Sequence, residues 1–176
     1  MDFVRAFDLV ATFLEGRGFP VALIGGLGLH AYGITRGTFD MDLITEGAAR
    51  DGLIEFLEGE GFETLHRSDG FSNHVRNQAG GERLDFVYVD SETSRKLFPA
   101  CGARLELGAR KALVPRAEHL IAMKVQAMKN DPSRAFQDMA DIQELLRIPA
   151  TDRQEVRGYF QRAGMTEEFD AICRRL

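Results

Sequence analysis

A chain of 176 residues with a net charge of −5, 44% hydrophobic and 28% charged residues has the size and balance of one globular domain, or of one domain with a small appendage. That acidity argues against a surface coated for general nucleic-acid binding, and no apolar run reaches the ~20 residues that span a bilayer. The start, MDFVRAFDLV, lacks a basic n-region, so a cytoplasmic location and no membrane partner are expected, while Cys101 and Cys173 have neither zinc-site nor disulfide-framework spacing.

Along the chain, Phe3, Val4, Phe7, Val10, Phe13 and Leu14 recur at helical spacing until EGRGFP stops them. VALI reads as a short buried strand and GGLGLHAYG as a turn opening into a short helix. TFDMDLIT reads as a second strand, with Phe39, Met41 and Leu43 on one face and Asp40 and Asp42 on the other. A helix is predicted over 47–57. FETLHR, FSNHVRNQ and RLDFVYVD follow as strands joined by turns at Ser68-Asp69-Gly70 and Ala79-Gly80-Gly81. In the last of them, alternation puts Asp85 opposite Leu84, Phe86 and Tyr88. A short helix is predicted over 91–98, then one or two strands in ARLELGARKALVP, then helices over 115–129 and 133–146 and two shorter ones. The expected organisation is an α/β core over residues 1–114 and a helical region over 115–176 packed on it as a single compact unit.

The segment Gly26-Leu27-Gly28-Leu29-His30-Ala31 matches G-x-G-x-x-A, a dinucleotide fingerprint, but Gly33 cuts the following helix short and the acids come early and in a pair. Another chemistry uses all the pieces. Backbone N–H groups at Gly25 and Gly26 can hold phosphate oxygens, and Asp40 and Asp42 can hold Mg²⁺ or Mn²⁺, which take hard oxygen ligands. Asp85, in an apolar strand, would leave a carboxylate buried at a cost of several kcal/mol unless a cation met it. Singly, a Gly-Gly turn is an ordinary tight turn and an Asp-x-Asp a solvated face; together they point to nucleotidyl transfer. His30, His66, His74 and His119 have no metal-ligand spacing.

Ile24-Gly25-Gly26, a gap of thirteen residues and Asp40-Met41-Asp42-Leu43 resemble the signature of the polymerase-β-like nucleotidyltransferase superfamily. The spacing Arg36-x-Thr38-x-Asp40-x-Asp42 is most similar to that of the AbiEii-like abortive-infection nucleotidyltransferases, whose helical motif is matched by Lys124, Arg134, Asp138 and Asp141. The likeness runs from residue 20 to residue 146, although many relatives carry a larger helical domain.

It implies an α/β (α+β) nucleotidyltransferase fold, a short mixed sheet backed by helices with a C-terminal helical region. It also implies Mg²⁺- or Mn²⁺-dependent transfer of a nucleoside monophosphate from an NTP, such as ATP, to an acceptor hydroxyl. The acceptor would be a tRNA 3′ end, as in toxin–antitoxin pairs with a cognate antitoxin, or a protein or small-molecule hydroxyl. Asp40, Asp42 and Asp85 would be the catalytic metal ligands, with Asp85 as base; Gly25, Gly26, Arg36, Thr38, Lys124, Asp138 and Asp141 would hold the nucleotide. The alternative is a non-catalytic nucleotide- or partner-binding module of the same fold.

Read without the resemblance, Lys124 interrupts an apolar stripe of Leu120, Ile121, Val125 and Met128, so its ammonium either snorkels or faces a cleft. Arg134, Asp138 and Asp141 also fit an exposed ion-pair stripe. For an RNA acceptor, Arg36, Arg76, Arg83, Arg104, Arg110, Lys111 and Arg116 would form a basic track if the strands bring them to one side.

Overall fold

Asp2 starts the first helix, α1 (Phe3–Glu15): its carboxylate accepts the Arg5 N–H at 3.1 Å, and the chain turns away after the helix through Gly18, whose φ of +79° favours glycine. The computed structural model describes residues 1–76 and 81–176. Seven strands follow α1: β1 (Val21–Leu23), β2 (Met41–Glu46), β3 (Glu63–Arg67), β4 (Phe71–Arg76), β5 (Glu82–Val89), β6 (Ala103–Leu107) and β7 (Arg110–Val114). They form one mixed sheet in the order β3-β4-β5-β2-β1-β7-β6, with β2 parallel to β5, β1 parallel to β7 and the other neighbours antiparallel. Helices α2 (Gly25–His30), α3 (Arg50–Gly59) and α4 (Ser91–Leu97) complete this part, and Met41, Leu43, Leu84 and Phe86 are fully buried in its core.

Residues 1–31 and 35–115 make one compact unit; residues 32–34 and 116–176 make a second. The second holds α5 (Ala117–Asn130), α6 (Ala135–Leu146), α7 (Arg153–Ala163) and α8 (Thr166–Cys173), packed through Ile121, Ile142, Leu145, Val156 and Phe160. Asp152 caps α7 by accepting the N–H groups of Gln154 and Glu155, and Gly164, with φ of +76°, ends it. Among the described residues, no helix is long and apolar enough to cross a membrane.

One local expectation changes. β2 begins at Met41, so Phe39 and Asp40 lie in a bend before it, and Phe39, expected on the strand face of Met41 and Leu43, is 91% exposed. β1 has only three residues and the β2–β5 register starts at Met41↔Leu84, so no ladder extends back to Thr38. There the Thr38 hydroxyl donates to the Asp40 backbone carbonyl and carboxylate instead, which turns the chain. ARLELGARKALVP resolves into two strands, β6 and β7. Asn77 and Gln78 at the end of one expected strand, and all but Gly81 of the turn expected at 79–81, lie outside the described residues.

Candidate carboxylate site

Parallel pairing places Asp42 on β2 directly beside Asp85 on β5, and antiparallel pairing places Asn73 on β4 beside Asp85, so the three side chains form one row across three strands. Asp40 joins from the bend. One ligand oxygen from each of Asp40, Asp42 and Asp85 lies within 4.8 Å of the others; the first two residues are half-buried and Asp85 is buried. Asp40 reaches the group through a bend, not through the strand alternation expected of it.

The glycines explain how the turn gets so close. At Gly25, φ is +57°, and a Cβ there would sit 1.8 Å from Asp42 Oδ2; at Gly26 a Cβ would sit 2.7 Å from the Thr38 Cβ. Any side chain at Gly25 would push Asp42 out of the row. The Ile24 N–H, donating to the Asp42 carbonyl at 3.0 Å, ties turn and strand together. Thr38 Oγ1 donates to Asp40 Oδ1 at 2.7 Å. His30 Nε2 lies 2.7 Å from the Arg36 carbonyl oxygen, which fastens the intervening loop to α2.

Asp85 accepts from Asn73 Nδ2 at 2.6 Å and from Arg83 Nε at 3.3 Å. The Arg83 guanidinium is pushed above its ordinary range by the hydrogen bond and charge of Asp85, opposed by desolvation and reinforced by Asp40 and Asp42. Three carboxylates at this spacing put like charge near like charge, a repulsion that the Arg83 guanidinium offsets in part. An all-oxygen, carboxylate donor set suits Mg²⁺ or Mn²⁺, so the residues present fit such an ion. Asn73 was not singled out in the sequence. Its signal is register, which the alternation pattern alone does not supply. Arg83 was legible as the residue two before Asp85, hence on the same face.

Lys124, Asp138 and Asp141 belong to the second unit and form a group there. Lys124 Nζ lies 3.0 Å from Asp138 Oδ1 and 2.6 Å from Asp141 Oδ2, and all three residues are buried. Gln137 donates to Asp141 Oδ1 at 3.0 Å, and Arg134 Nε lies 3.5 Å from Asp138 Oδ2, a buried oxygen without a hydrogen-bond partner among the described residues. The lysine therefore does not snorkel; it is the centre of a buried ion group, and Asp138 and Asp141 are not part of an exposed stripe.

Within the sheet, the arginines expected in a basic track are dispersed. Arg76, on β4, pairs with Glu82, donates to the Glu60 carbonyl and stacks 4.4 Å over the Phe62 ring. Arg110, on β7, is bound by Asp8, Glu15 and Thr12; Arg104 donates to the carbonyls of Cys101 and Ala103; Arg116 pairs with Glu155. Strands β4 and β7–β6 lie toward opposite edges of the sheet, so Arg76 is parted from Arg104 and Arg110, while Arg83 stands at the carboxylates. The dinucleotide reading also fails, because β1 and β2 are antiparallel where a Rossmann unit has parallel strands, and α2 has only six residues.

No protein-family model matches the sequence, and no curated protein matches it. Among solved structures the chain is similar to the antibiotic-resistance factor ANT(2'')-Ia, at 18% identity over 98% of this chain and 90% of that one, TM-score 0.57. It is similar to an antigenic nucleotidyltransferase-like protein from Paracoccidioides brasiliensis at 15% identity over 97% and 93%, TM-score 0.58. It is likewise similar to the lincosamide antibiotic adenylyltransferase LnuA at 15% identity over 82% and 96%, TM-score 0.55. At these identities the likeness is one of architecture, and with the seven-stranded mixed sheet backed by helices it shows that this chain has the nucleotidyltransferase fold.

Proposed function

We propose that the protein is a divalent-cation-dependent nucleotidyltransferase that moves a nucleoside monophosphate from an NTP to the hydroxyl of a small acceptor. The observation that carries this is the convergence of Asp40, Asp42 and Asp85 within 4.8 Å beside a glycine turn that only glycine can form. Asp40, Asp42 and Asp85 hold the Mg²⁺ or Mn²⁺, which when bound supplies a positive charge for the phosphate oxygens. The backbone N–H groups of Gly25 and Gly26, with Arg36 and Thr38, line the triphosphate side. The acceptor oxygen forms a bond to the α-phosphorus, the bond to the β-phosphate bridging oxygen breaks and pyrophosphate leaves, while Asp85 accepts the hydroxyl proton. The protein's part is position and electrostatics. Lys124, Asp138 and Asp141 act indirectly, by fixing α5 against α6.

Dispersal of the arginines supports a small acceptor over an RNA end, and so does the size match: two antibiotic-directed proteins of this fold are spanned over 90% and 96% of their length. The test is incubation with each α-labelled NTP, Mg²⁺ and three acceptor classes: hydroxylated small molecules including aminoglycosides and lincosamides, total tRNA, and protein. Label on a small molecule with pyrophosphate release, lost in chelator, is the expected result. Label on tRNA would restore the RNA-directed, toxin-like reading of the AbiEii resemblance and its antitoxin. MgNTP binding by calorimetry without transfer to any acceptor would leave a binding module.

A further inference from the structure

Each carboxylate of the cluster meets different surroundings. Asp40 is held by the Thr38 hydroxyl, Asp42 rests against the bare backbone of Gly25, and Asp85 is held by two donors. Those two donors fall on the same atom. Asn73, directly across the antiparallel pair, brings Nδ2 to 2.6 Å from Asp85 Oδ1, and Arg83, two residues earlier on the same strand face, brings Nε to 3.3 Å from that same Oδ1. A carboxylate oxygen presents two lone pairs, so two donors fill Oδ1. Among the described residues no hydrogen bond reaches Oδ2. The two holders differ in kind: the amide makes a short neutral contact from a half-buried side chain, whereas the guanidinium is 51% exposed and makes a longer, charged one.

We propose that Asn73 and Arg83 are positioning residues of this site, holding Asp85 by Oδ1 so that Oδ2 is the oxygen presented to the cation and to the acceptor hydroxyl. The inference rests on the nucleotidyl-transfer reading. Neither residue touches the reacting atoms. Asn73 sets the carboxylate's rotamer, which a strand alone leaves free, and Arg83 offsets part of the repulsion among the three acids while the carboxylate is held.

Asn73→Leu and Arg83→Gln in the full chain test this, with two readouts: steady-state kinetics against NTP, and Mn²⁺ titration by electron paramagnetic resonance without nucleotide. Asn73→Leu is expected to lower kcat about 10- to 100-fold, the range for removing a group that orients a metal ligand, and to weaken Mn²⁺ binding by a similar factor while the NTP KM moves less than about twofold. Asn73→Ser, which keeps a donor, recovers part of both and carries the test if the leucine variant does not fold. Arg83→Gln, a change on a half-exposed side chain, lowers kcat by less and leaves the NTP KM unmoved. A raised NTP KM with kcat intact in Arg83→Gln would make Arg83 a triphosphate ligand and overturn its positioning role. Wild-type kcat and Mn²⁺ affinity in Asn73→Leu would overturn the proposal while leaving the transfer reaction standing. Weakened Mn²⁺ binding in that variant, in a protein that transfers no label, would uphold the positioning and sink the reaction. A wild-type protein that binds no Mn²⁺ sinks both.

Discussion

In the sheet, Asp40, Asp42 and Asp85 bring carboxylate oxygens within 4.8 Å of one another; between α5 and α6, Asp138 and Asp141 are parted by an ammonium 3.0 and 2.6 Å away. The first arrangement sets like charge against like charge in a partly open place. The second inserts a cation between acids and buries all three. Acids near acids are tolerated by a fold only where something offsets the repulsion, and at the sheet the half-exposed Arg83 guanidinium, 3.3 Å from Asp85 Oδ1, does so in part. In the helical group the counter-charge is a buried ammonium shared by two acids, and its geometry is that of an internal brace. The two groups therefore answer differently to the loss of a charge.

The largest effect is expected at the brace. Lys124→Met leaves two buried carboxylates without their shared cation and should cost about 3–5 kcal/mol of stability, read as a lowered urea midpoint. A variant with wild-type stability but weakened MgNTP binding would move Lys124 out of the brace and onto the triphosphate, as the family resemblance implies.

The converse holds at the sheet. Asp40→Asn keeps an oxygen for the Thr38 hydroxyl while removing one of the clustered charges. Transfer activity is expected to fall by at least ~100-fold, while stability rises by about 0.5–1 kcal/mol, the trade-off of a site that is electrostatically loaded when empty. Loss of stability in this variant would erase the contrast between the two groups.

The smallest effect is acid sensitivity, carried by one imidazole in each unit. His74 is fully buried, with Nε2 2.8 Å from Ser72 Oγ and Nδ1 3.1 Å from Thr64 Oγ1; Ser72 in turn meets Tyr88, whose phenol burial pushes up to about 12. Burial holds His74 below its ordinary value, and burial followed by the charge of Arg116 does the same for His119. The unfolded chain then binds more protons than the folded one below the ordinary value of 6.5. Stability from these groups is full above that pH and declines as pH falls through it. The urea midpoint should drop between pH 7.5 and pH 5.5, with a shallower slope in His74→Gln; a midpoint that rises on acidification would contradict the sign.

Much of the sheet was legible because its strands are patterned by burial. Leu84, Phe86 and Tyr88 alternate against Asp85, and the structure buries those three while turning Asp85 into the row. Asp42 was readable for the same reason. Phe39 was misread because alternation was carried past the point where β1, only three residues long, ceases to offer a partner. Pattern reports which face a residue would occupy in a strand and says nothing of where pairing stops. Lys124 was ambiguous for a related reason: an apolar stripe shows that a charge is being taken inside, but its partners, Asp138 and Asp141, lie on the next helix. Arg76 and Arg110 were grouped as one track by charge alone, although strand order places them toward opposite edges. Asn73 depends on register, and a slip of one residue would have put Ser72 or His74 in its place.

The parallel pairing of β2 with β5 has a consequence for how this chain comes together in time. Strands β3, β4 and β5 pair with their sequence neighbours, so they can zip as a local meander. The β2–β5 ladder must wait for a long crossover to close, as must the β1–β7 contact between Ala22 and Leu113. Non-local pairings of this sort are slow. Asp42 and Asp85 therefore come face to face only when the segments that carry them, far apart in the chain, dock.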